Sequence, residues 1–108
     1  MDEINNLIYF AKKVDNKYLQ KIRNLKDKKE KIEALKYLIK LRLEEKKRDL
    51  NEDIDKLKKE DRFFIEIKIA KLESKIKIFN ATHHKKDFNN VMLLFKDIKK
   101  EIKNVRSV

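Results

Sequence analysis

Over the first forty residues, apolar side chains recur every seven positions, at Ile4, Ala11, Tyr18, Leu25, Ile32 and Ile39. A second series of sevens, Leu43, Leu50, Leu57 and Phe64, follows with a displacement of four. Heptad spacing marks helices that pack along a seam, and a displacement of four is either a stutter in one helix or a new helix in another register. The polar neighbours favour a new helix. Lys46, Lys47 and Arg48 suit the negative end of one helix, and Asn51 followed by Glu52, Asp53 and Asp55 suits the cap and acidic first turn of the next. Earlier, Asp27 with Glu30 resembles a capping box with Asp in place of Ser or Thr, which divides the first stretch in two. No glycine stop stands there, so one continuous helix is the alternative.

From Asn51 to about Asn80, Ile54, Leu57, Phe64, Ile65, Leu72, Ile76 and Phe79 hold one helical face. Part of this segment, FFIEIKIAKLESKIKIF at 63–79, also alternates like a strand at Ile65, Ile67 and Ile69. A strand pair would have to turn through AKLES, which offers no turn residue, so a helix is predicted. The stretch NATHHKKD, 80–87, is the expected loop, with Asn80 suited to a left-handed backbone and Asp87 to a cap. Phe88, Val91, Met92, Phe95, Ile98, Ile102 and Val105 then predict a final amphipathic helix. The expected fold is all-α: one domain, an elongated antiparallel helical bundle or coiled coil of three or four helices. Their expected spans are about 3–26, 28–48, 51–80 and 87–106, with the first two separate or continuous.

On a helical wheel the 63–79 segment has two apolar faces. Ile65, Ile69, Leu72, Ile76 and Phe79 cluster on one side; Phe63, Ile67, Ala70 and Ile78 lie nearly opposite. Arg62, Glu66, Glu73 and Lys77 fill one sector between them, and Lys68, Lys71 and Lys75 the other. Two opposed stripes need two covers. Either another helix of the same chain covers the second stripe, or another molecule does, which makes Phe63, Ile67, Ala70 and Ile78 candidate partner-interface residues. Tyr9 and Phe10, which stray from the first seam, fit either role.

Composition narrows the chemistry. None of the 108 residues is Gly, Pro or Cys, which excludes disulfides, thiolate metal sites, a Cys nucleophile and glycine-rich phosphate loops. The hydroxyl side chains besides tyrosine are Ser74, Thr82 and Ser107, none with a histidine at helical spacing, and the carboxylates alternate with lysines as on a solvated face. His83 and His84 are adjacent and point apart; at best His83 meets Asp87 one turn on, which makes two ligands. A non-enzymatic protein without catalytic residues, cofactor or metal is expected. The apolar runs are too short to span a membrane, and the acidic start MDEINN does not resemble a signal peptide. A cytoplasmic protein is therefore expected, in the host cytoplasm if the source is viral. A basic helix at 62–79 resting on a membrane surface fits less well, because such a helix needs one apolar face and this one has two.

Charge adds a second functional class. The net charge is +11, with 25 Lys against 5 Arg. Residues 21–48 carry +7 and 81–108 carry +4, while 49–61 carry −3. Lys96, Lys99, Lys100 and Lys103 fall within a sector of about 100°, away from Asp97 and Glu101. They are the candidate phosphate contacts, and Lys29, Lys36, Lys40 and Lys47 form a second strip. Against this, lysines beside an apolar seam commonly bury their stems and leave the charge in water. Two functions are thus expected in order: a helical protein–protein interaction protein, an assembly or adaptor component that self-associates or docks a partner by helix packing, and alternatively a basic nucleic-acid-binding protein. Salt separates them, because polyanion binding falls steeply with ionic strength and apolar association does not.

Overall fold

The computed structural model describes residues 3–14 and 17–106. Within them the chain is all-α, with helices α1 (Glu3–Val14), α2 (Leu19–Arg23), α3 (Lys28–Ile54), α4 (Lys59–Thr82) and α5 (Lys85–Arg106), and no strand. Asp15 and Asn16, inside the expected first helix, and Ser107, one of the hydroxyls considered above, lie outside the described residues. The chain forms two compact units, Met1–Glu44 and Glu45–Val108, with α3 running from one into the other.

In the first unit the expected helix 3–26 is interrupted by a turn at Lys17 and Tyr18, and α3 starts afresh after Asp27. Asp27 supplies that start: its carboxylate accepts the Lys29 N–H at 3.0 Å, and its carbonyl accepts the Lys31 N–H. Each interruption resets the helical register, so of the seven-residue seam from Ile4 to Ile39 only Ala11 and Ile39 are buried. Tyr18 on that seam is exposed, whereas α1 buries Leu7, Phe10, Ala11 and Val14, one and two turns apart. Phe10 is therefore core, and Tyr9 packs edge-on against it with ring centroids 5.6 Å apart. In α3, Leu35, Leu38, Ile39 and Leu43 are buried.

The break expected between Arg48 and Asn51 does not occur. The displacement of four is a stutter in a continuous helix: Leu43, Leu50 and Ile54 follow at spacings of seven and four, all buried, and keep one face of α3 inward. Burial of that face outweighs the local preference of Asn51 for a cap, and Asn51 and Glu52 are exposed mid-helix positions. The chain leaves the helix at Asp55–Lys58 instead. Within α4 Ile65 is buried as expected, but Phe64, also expected on the core face, is exposed, because it lies about 80° around the helix from Leu72.

The second unit contains the end of α3, α4 and α5. α4 and α5 form an antiparallel hairpin whose turn is only His83 and His84, far shorter than the expected loop 80–87. His83, not Asn80, takes the left-handed conformation, at φ 52°, and its N–H donates to the Phe79 carbonyl at 2.7 Å. Ile65, Ile69, Leu72, Ile76 and Phe79 from α4 meet Phe88, Val91, Phe95, Ile98 and Ile102 from α5 in the core, with Phe79 and Phe88 ring centroids 5.2 Å apart. Lys47 of α3 reaches Glu73 of α4 at 3.6 Å, and Asp53 of α3 shares a cleft with Ile102, Lys103 and Arg106 of α5. The end of α3 and α5 therefore run the same way, with α4 opposed to both. No polar side chain is buried among the described residues, so packing of apolar faces accounts for the unit.

Candidate functional site

The outer face of α4 is where the structure leaves apolar surface uncovered. Seven or eight residues make two helical turns, so Phe63, Ile67, Ala70 and Ile78 fall in one stripe along the helix, centred opposite the buried face of Ile65, Ile69, Leu72, Ile76 and Phe79. All four are exposed, Phe63 by 60%, Ile67 by 54% and Ile78 by 46%. Ser74 and Ala81 are exposed on the same line. The line runs roughly 27 Å from Phe63 to Ala81. Phe64 stands beside it with its ring edge-on to Phe63, centroids 5.4 Å apart.

Several charges in the sectors on either side are paired. Arg62 holds Glu66 at 3.4 Å and approaches Asp55 at 4.0 Å. Glu73 is held by Lys47. On the opposite flank, Lys68 bridges to α5, 2.9 Å from Asp97 and also bonded to Glu101. The hydrogen bond to Glu101, then the one to Asp97, raises the Lys68 ammonium above the ordinary lysine value. These exposed pairs add little stability individually. Their effect is positional: Glu73 ties one flank of the apolar line to α3 and Lys68 ties the other to α5.

The α5 lysines occupy the other candidate surface. Lys96, Lys99, Lys100 and Lys103 are all exposed on one side of α5, while Asp97 and Glu101 face Lys68. The second strip is less coherent. Lys29 and Lys40 are exposed, but Lys36 pairs with Glu3 at 3.4 Å and Lys47 with Glu73. Half of it is thus already neutralised.

The histidine turn is structural. His83 sits edge-on against Phe79, centroids 5.3 Å apart, and His84 approaches Asp87, at 3.9 Å. Asp87 does not cap α5 from outside as expected; it lies in the first turn and accepts a hydrogen bond from the Thr82 hydroxyl, which itself accepts the His84 N–H at 3.2 Å. No group of three His, Asp or Glu side chains suited to a metal occurs among the described residues, and no described helix is long and apolar enough to cross a membrane.

Two further exposed apolar residues went unmarked in the sequence reading, Leu93 at 65% and Tyr37 at 68%. Leu93 had a signal: it stands off the line of Phe88, Val91, Phe95 and Ile98 that α5 buries. Comparison with protein families, with curated proteins and with solved structures gives no match to the chain.

Proposed function

We propose that the protein is a non-enzymatic assembly component that self-associates by packing the outer face of α4 against the same face of a second copy. One observation carries the reading: Phe63, Ile67, Ala70 and Ile78 form an exposed apolar line on a regular helix whose opposite face is already buried. The line is also self-complementary. When two α4 helices run antiparallel about a two-fold axis at residue 72, Phe63 lies level with Ala81 of the other copy, Ala70 with Ser74, and Ile67 within one residue of Ile78, so apolar and small side chains face one another along the line. Glu66 comes within one residue of the level of Lys77 of the other copy, twice by symmetry. The cytoplasmic setting expected from the sequence belongs to the same proposal.

Light scattering tests it. The parent shows a mass above that of one chain, rising with concentration, and Ile67→Glu restores the single-chain mass with helicity unchanged. Glu66→Lys weakens association several-fold, and adding Lys77→Glu recovers it. A parent that stays single-chain at high concentration refutes self-association.

A second reading, nucleic-acid binding, is favoured by the exposure of Lys96, Lys99, Lys100 and Lys103 together, with no ion pair among the described residues at the first three. Such lysines would touch phosphates and read no bases. Changing all four to Gln weakens binding to every sequence alike and lowers the slope of log affinity against log salt by about 3 to 4 for duplex DNA. Absence of binding by the parent at low salt removes this reading.

A further inference from the structure

We propose that the groove beside α5, between it and the end of α3, binds a free single-chain amphiphilic anion of the alkyl carboxylate class. The charged head lies at Lys96 and Lys99 and the chain lies over Met92 and Leu93.

The groove holds about 610 Å³, within the range of roughly 300–1,000 Å³ typical of small-molecule sites. Its surface is mostly apolar, from Met92, Leu93 and Phe95, and its charged lining is Lys46, Lys96 and Lys99. No acidic side chain lines it. Of the acids on the same helix, Asp97 and Glu101 are engaged by Lys68 on the far side, and Asp87, in the first turn, by the Thr82 hydroxyl. The adjoining cleft differs: there Asp53 stands among Lys99, Lys103 and Arg106, so a carboxylate offsets part of the positive charge. In the first groove the ammonium groups of Lys96 and Lys99, one turn apart, have no carboxylate between them, and Leu93 is 65% exposed.

That pairing of an apolar floor with a cationic end selects the ligand. A simple phosphate or nucleic-acid backbone satisfies the lysines but leaves Met92 and Leu93 in water; a neutral hydrocarbon does the reverse. From Asn89 to Lys99 the groove is roughly 15 Å long, the reach of an extended medium-length alkyl chain. A docking helix needs anchors from both walls over several turns, and here α3 contributes only Lys46.

Calorimetric titration of the full chain with decanoate, below its micelle concentration, tests the assignment, with decanol as the neutral control. Decanoate binds at least tenfold more tightly than decanol. The double change Lys96→Gln and Lys99→Gln lowers decanoate affinity about tenfold and leaves decanol unchanged, whereas Leu93→Gln weakens both. These positions are exposed, and circular dichroism verifies unchanged helicity. Absence of decanoate binding at millimolar concentration, or equal binding by all variants, overturns the proposal. Binding to vesicles containing phosphatidylglycerol without binding of free decanoate also overturns it, in favour of adsorption to an anionic surface.

Discussion

Ile69→Glu unfolds the Glu45–Val108 unit, while Ile67→Glu, two residues away on the same helix, leaves it folded. Ile69 is 6% exposed, in the α4 face that packs with α5, and no polar partner is buried near it among the described residues. Glutamate there loses the packing of an isoleucine, about 2–5 kcal/mol, and must either bury a charge or take up a proton to avoid doing so. A unit of this size is stable by roughly 3–10 kcal/mol at 0.05–0.15 kcal/mol per residue, so a loss of about 4 kcal/mol consumes most or all of it. Ile67 is 54% exposed, and a charge there remains in water. Its expected cost to the isolated chain is within about 0.5 kcal/mol. Urea denaturation followed by circular dichroism measures both. Equal destabilisation of a single-chain parent by the two changes shows that Ile67 belongs to the chain's own core and removes the ground for self-association.

Glu52→Pro costs about 3 kcal/mol, and Lys59→Pro costs almost nothing. Glu52 is exposed, so its replacement forfeits no packing. It lies within α3, however, where proline removes a ladder N–H and drives its ring against the carbonyl of Arg48. Had a new helix begun at Asn51, position 52 would have been its first residue, where proline is favoured. Lys59 is such a first residue: Lys58 before it is extended, with φ −63° and ψ 151°, as proline requires of its predecessor. Thermal unfolding of the two variants decides whether α3 is one helix. Equal midpoints contradict it.

The same two sites show what was legible in the sequence and what was not. At Asp27 the helix start read from the chain is the start in the structure, because a carboxylate bonding an N–H two residues on is a local interaction. At Asn51 the same kind of signal was present and failed, because Leu50 and Ile54 gain more from staying on one buried line than Asn51 gains from capping. At the end of α4 the signal at Asn80 failed likewise: the left-handed residue comes three residues later, at His83, with its ring against Phe79. Local chemistry proposes several stops, and burial chooses among them.

The sequence by itself determined the all-α class, through the absence of glycine and proline and the helical spacing of apolar residues, and it determined the two opposed faces of α4. Those are properties of single residues and of their spacing along one helix. Only the tertiary structure decided which faces are covered: that Phe10 is inside and Phe64 outside, that Lys36 and Lys47 are spent on Glu3 and Glu73, and that Phe63, Ile67, Ala70 and Ile78 are left exposed. Covering a face needs a second element at the right distance and register, and register is reset by each break in the chain. A shift of one residue turns a helical side chain by about 100°, enough to exchange core for surface.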